Sequence, residues 1–98
     1  MAEVEVYPAI YAMPDEEHEN LHIEIELPGV EKENIRLRMH EDSFTISAMR
    51  EDIRYVGSYA VCCPVDYEQA RAEFRNGLLI IDVPYKKPQV RGREIPVA

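Results

Sequence analysis

His22 and Glu24 stand two residues apart, a spacing that puts both side chains on one face of an extended strand. An imidazole and a carboxylate placed that way could hold a metal ion weakly. A solvated strand face accounts for the pair more simply, and no metal is expected. Cys62 and Cys63 are adjacent. In a strand their side chains would point to opposite faces and could not easily bridge. A redox or metal pair is one reading, but a metal site would want further Cys or His at suitable spacing, so two small buried apolar groups are expected. The serines Ser43, Ser47 and Ser58 sit in no G-x-S-x-G elbow, and Gly29, Gly57, Gly77 and Gly92 are too scattered to cradle a phosphate. No catalytic residue, no cofactor and no enzyme activity are expected. Recognition is a better prospect. In Ile95-Pro96-Val97 an extended backbone carries the two aliphatic side chains on the same side, ready to enter apolar pockets. Proline between them limits the chain's freedom before it binds, which lowers the ordering cost.

The elements that would position these residues read as strands. Leu21, Ile23, Ile25 and Leu27 alternate with His22, Glu24 and Glu26, until Pro28-Gly29 stops the run. Ile35, Leu37 and Met39 alternate with Arg36, Arg38 and His40. A polar Glu41-Asp42-Ser43 turn then leads into a return strand from Phe44 to Met49. Val56 to Cys63 is a further strand candidate ended by Pro64, and Asp66 is placed to cap a short helical turn reaching Ala70. Asn76-Gly77 between Ala72–Arg75 and Leu78–Val83 is a strong hairpin signal, because both residues tolerate positive φ. Leu78–Val83 is apolar on nearly both faces and is expected at the centre of a sheet. Pro8 breaks the segment from Val4 to Ala12 or confines it to an edge. Short strands at steady spacing point to an all-β chain, an antiparallel sandwich or barrel.

Composition narrows the function classes. The 98 residues suit one domain, and 46 % hydrophobic with 31 % charged residues is a globular balance. Formal charge is −8, with 19 acids against 11 bases, which opposes docking on nucleic acid or an anionic bilayer. Neither partner is expected. The aliphatic run Leu78–Ile81 is far below the ~20 residues of a membrane helix. The acidic start lacks the layout of a signal peptide, and no disulfide framework exists, so a cytoplasmic location is expected.

The stretch Ala72-Glu73-Phe74-Arg75-Asn76-Gly77-Leu78-Leu79 resembles the A-x-F-x-N-G-V-L signature of the α-crystallin domain found in small heat shock proteins. Glu26-Leu27-Pro28-Gly29-Val30 with Glu33-Asn34-Ile35, Phe44-Thr45-Ile46-Ser47-Ala48, Cys63-Pro64 and Pro84-Tyr85-Lys86-Lys87 are similar to further family segments, in the same order. Ile95-Pro96-Val97 is similar to the family's C-terminal anchor. The resemblance implies an antiparallel, immunoglobulin-like β-sandwich over residues 4–84 and a C-terminal extension over 85–98. It implies an ATP-independent holdase whose partners are unfolding client proteins and further copies of itself, as dimers or larger assemblies. Ile95 and Val97 would be the oligomer anchor. The receiving groove would lie between the Ile35–His40 and Ala72–Arg75 strands, with Leu37, Met39 and Phe74 in its lining. Two departures stand out. Between the flanking strands only Arg50-Glu51-Asp52-Ile53-Arg54-Tyr55 remains, too short for the loop whose strand many members exchange between partners. Val4 already lies near the first strand, where the family usually has an apolar segment ahead of the domain. They leave open an alternative, a co-chaperone or scaffolding module of related fold that binds one folded partner.

Overall fold

Alternating sequence makes strands with one apolar face each, and two such faces can leave water only by packing on each other. The computed structural model describes residues 4–86 and 94–98. Its strands are β1 (Val4–Val6), β2 (Ile10–Pro14), β3 (Asn20–Glu26), β4 (Ile35–Met39), β5 (Ser43–Arg50), β6 (Ile53–Ala60), β7 (Arg71–Arg75) and β8 (Leu78–Pro84). They form two four-stranded sheets, ordered β1-β6-β5-β4 and β2-β3-β8-β7. Every pair is antiparallel except β1 with β6, where Val4–Val6 runs parallel to Ile53–Tyr55. The core fills the space between the sheets. Leu21, Ile23 and Ile25 of β3 and Leu79, Ile81 and Val83 of β8 face Phe44, Ile46 and Ala48 of β5 and Tyr55 of β6. Among the described residues no polar or charged side chain is buried.

As its two apolar faces require, β8 is central, between β3 and β7. Pro8 interrupts the first segment, and the chain there passes from one sheet to the other, β1 joining β6 and β2 joining β3. The Asn76-Gly77 turn has φ of 49° and 80°, both in the left-handed region, as a tight hairpin demands. The Gly77 carbonyl accepts from Leu27 N–H at 2.7 Å, which fastens that hairpin to the end of β3. Gly29, at φ 78°, lies against the side chain of Arg50, where a Cβ would collide. Asp15 closes the β2–β3 turn, its carboxylate accepting from the backbone N–H of Glu19 and from the Asn20 side chain, both at 2.9 Å. The Asn20 side chain holds the Asp15 carboxyl below its ordinary value.

Three sequence expectations need correction. The strand expected at Val56–Cys63 runs Ile53–Ala60 instead, because its pairing with β5 starts at the tight turn and not beyond it. With Arg50 opposite Ile53, only Glu51 and Asp52 remain in that turn, Glu51 adopting φ 49°. Cys62 and Cys63 consequently lie past the strand end and are exposed, not buried. Asp66 precedes the short 3-10 turn Tyr67–Gln69 but makes no side-chain cap, since its carboxylate accepts from the Gln69 side chain at 2.7 Å. Among the described residues no helix is long and apolar enough to cross a membrane.

Candidate functional site

β4 and β7 are the outer strands of their respective sheets on one side of the sandwich. The inward-facing residues of an edge strand have only half the neighbours of a central strand, so apolar side chains there stay partly open to solvent. Leu37 and Met39 show this. They pair with the fully covered Ile46 and Phe44 of β5, yet are themselves only half-buried. With Tyr67, Ala70, Arg71, Ala72 and Ile81 they line an open cleft of about 280 Å³. The anticipated groove position between β4 and β7 therefore has a cleft, and two of its three expected lining residues are in it. Phe74 is not. Ala72 pairs with Ile81 at the level of the cleft, whereas Phe74 pairs with Leu79, two residue pairs nearer the Asn76-Gly77 turn, and packs on the core. Tyr67, Ala70 and Ile81 were not foreseen as lining. The only signal was the short helical turn after Asp66, which folds back over β8 and brings Tyr67 and Ala70 to the rim.

The two residues expected as the anchor are not packed on the domain. Ile95 is 75 % exposed and Val97 96 % exposed, so neither occupies the cleft of its own chain. The basic stretch from Lys87 to Arg93 falls outside the described residues. At the root of the tail, Lys86 Nζ donates to Glu41 at 2.7 Å, and its N–H donates to the Pro64 carbonyl at 3.0 Å. The hydrogen bond to Glu41 raises the Lys86 pKa above its ordinary value. A second cleft, of about 450 Å³, lies where the chain crosses between the sheets, by Tyr7, Pro8, Tyr55 and Gly77. Sequence periodicity carried no signal for it, because it is assembled from turns and a crossover.

His22 and Glu24 do share a face, but a third group decides what they do. Asp82 pairs across the strands with His22, and its carboxylate lies 2.8 Å from Nδ1 while that of Glu24 lies 3.0 Å from Nε2. Each ring nitrogen thus lies within hydrogen-bond distance of a carboxylate, so the charged imidazole can donate to both. No cluster of three or more potential metal ligands occurs among the described residues. The Asp82 hydrogen bond raises the His22 pKa above 6.5, helped by Glu24 and opposed by partial burial. A folded-state pKa raised in this way gives stabilisation that is complete below about pH 6.5 and lost as pH climbs through the raised value. The melting temperature lost in His22→Gln is therefore expected to be larger near pH 6 than near pH 8.5. An equal loss at both, measured by thermal unfolding, would mean that the imidazolium gains nothing from its two carboxylates.

Comparison with known proteins places this architecture. The sequence profile of the Hsp20/alpha crystallin family matches residues 13–98. Small heat shock protein C4 of Rickettsia felis is 32 % identical over 99 aligned positions, which cover 85 % of this chain and 60 % of that protein. The chain thus spans less than two thirds of that relative's length. Solved structures share the fold, two of which illustrate it. Heat shock protein 16.0 from Schizosaccharomyces pombe superposes with a TM-score of 0.71 at 20 % identity, covering 95 % of this chain and 99 % of that one. A small heat-shock protein from Xylella fastidiosa gives 0.73 at 17 % identity, covering 97 % and 99 %.

Proposed function

Because this chain belongs to the Hsp20/alpha crystallin family, we propose that it is an ATP-independent holdase, a non-enzymatic chaperone that binds unfolding proteins and prevents their aggregation. The observation that carries this reading is the apolar surface left open along the first strands. Val4, Tyr7, Tyr11 and Met13 are each more than half exposed, and beside them the outer edge of β2 is unpaired among the described residues. Exposed apolar side chains next to free backbone donors and acceptors can hold an extended, partly unfolded segment by burial and by strand addition. The net charge of −8 keeps such a loaded chain in solution.

Residues 4–84 form the chaperone domain in this reading, and the segment from 85 onward is an arm that links copies. Ile95 and Val97 enter the β4–β7 cleft of a neighbouring copy, where Leu37 and Met39 receive them. A two-residue β5–β6 turn supplies no strand for exchange, so copies pair by another edge. β1 covers only Ile53–Tyr55 of β6, which leaves the outer side of Val56–Ala60 for such pairing. The protein acts in the cytoplasm and carries no cofactor. The same short turn favours, as a second reading, a co-chaperone or scaffolding module that binds one folded partner.

Suppression of heat-induced aggregation separates the two. A holdase is expected to protect several unrelated proteins at near-stoichiometric ratios, to the same extent with ATP, without it, and with a chelator present. Protection of none or only one of them, or dependence on ATP or a divalent metal, would overturn the holdase reading.

A further inference from the structure

Past the end of β6 the chain is pinned on both sides of the cysteine pair. Val61 N–H donates to the Asp42 carbonyl and Val65 N–H to the Glu41 carbonyl, each at 2.9 Å, while Val65 is buried and bridges to Tyr85. Cys63 precedes Pro64, which keeps it out of the helical region of backbone space. Between these fixed points the chain bends, and the bend breaks the alternation that would send adjacent side chains to opposite faces. Both thiols turn to the same side. Their sulfurs are 3.0 Å apart and both residues are exposed.

We propose that Cys62 and Cys63 form a reversible modification site, a dithiol that exchanges with a low-molecular-weight disulfide of the glutathione class and closes to an intrachain disulfide. Either thiol can begin, since either sulfur can be the donor in the hydrogen bond between them. The first, as thiolate, attacks one sulfur of the small disulfide, a mixed disulfide forms and one small thiolate leaves. The second then gives its proton to solvent and attacks the sulfur of the cysteine already bonded, forming the Cys62–Cys63 bond and expelling the second small thiolate. One dithiol and one disulfide become one protein disulfide and two small thiols, with no other oxidant.

Adjacent Cα atoms lie about 3.8 Å apart across a trans peptide, below the usual ~4.4–6.8 Å of disulfides. A ring closed at this site is therefore strained and easily reduced, the behaviour of a labile bond and not of a structural staple. It would sit one residue before Pro64, whose carbonyl holds the Lys86 N–H at the root of the tail.

The test uses the full chain, incubated with excess oxidised glutathione and followed by intact mass and free-thiol count. Expected is the loss of two hydrogens and both thiols per chain, with no covalent dimer, fully reversed by dithiothreitol. Cys63→Ser and Cys62→Ser are each expected to stop at a glutathione adduct on the remaining cysteine, reversed by dithiothreitol. A stable glutathione adduct on the unsubstituted chain, a covalent dimer on a non-reducing gel, or an unchanged mass would each overturn the proposal.

Discussion

With Ile95 and Val97 both replaced by glycine, the chain is expected to run as dimers or monomers under conditions where the unsubstituted protein forms larger assemblies. Fully burying an aliphatic side chain of this size contributes roughly 1.5–3 kcal/mol before ordering costs. Each 1.4 kcal/mol is about a factor of ten in association, so losing both contacts weakens one arm by about a hundredfold or more. Several arms in one assembly act together through effective concentration, which multiplies the effect on the whole. Folding stability is expected to stay within about 0.5 kcal/mol, as for surface changes away from the core, because the two side chains are already 75 % and 96 % exposed. About eleven positions lie from the end of β8 to Ile95, a length of chain that would reach roughly 36 Å if fully extended, enough to meet a neighbouring molecule. Size-exclusion chromatography with light scattering at two temperatures reads the outcome. An unchanged assembly size at equal concentration would show that the arm is not the link.

Phe44→Ala is expected to be the most damaging single change to the fold. Phe44 is fully buried in β5, where Met39 of β4 and Tyr59 of β6 flank it across the two ladders. The Tyr59 ring stacks on it with centroids 5.6 Å apart. Truncating a buried phenylalanine costs about 3–5 kcal/mol, partly for the lost transfer and partly for the cavity left behind. A domain of this size has only about 5–15 kcal/mol in total, so the melting temperature is expected to fall by at least about 12 °C. Met39 and Tyr59 would lose their shared wall, and the cleft beside Met39 would loosen with them. A fall corresponding to less than about 1 kcal/mol in thermal unfolding would contradict a core centred on β5.

Much of the fold was legible in the sequence because strand periodicity is local. Leu21, Ile23 and Ile25, or Phe44, Ile46 and Ala48, reveal their buried face by parity alone, and Asn76-Gly77 dictates its hairpin through the φ values its backbone can reach. The two apolar faces of Leu78–Val83 likewise placed β8 at the centre of its sheet. Parity states which side chains face inward, but not which strand lies alongside. That β1 runs parallel to β6, while β2 joins the other sheet, depends on contacts across some fifty residues, for which the local pattern holds no signal. The cleft lining shows the same limit. Leu37 and Met39 could be read from alternation, but whether Ala72 or Phe74 stands opposite them depends on the register between two sheets that never pair. The cysteines mark it most sharply. Alternation placed Cys62 and Cys63 on opposite faces, and only the hydrogen bonds from Val61 and Val65 to the distant β4–β5 turn, by ending the strand, put their sulfurs side by side. Sequence decided the elements, because dihedral preference and period are properties of neighbours; tertiary structure decided the sites, because they are made of residues that only folding brings together.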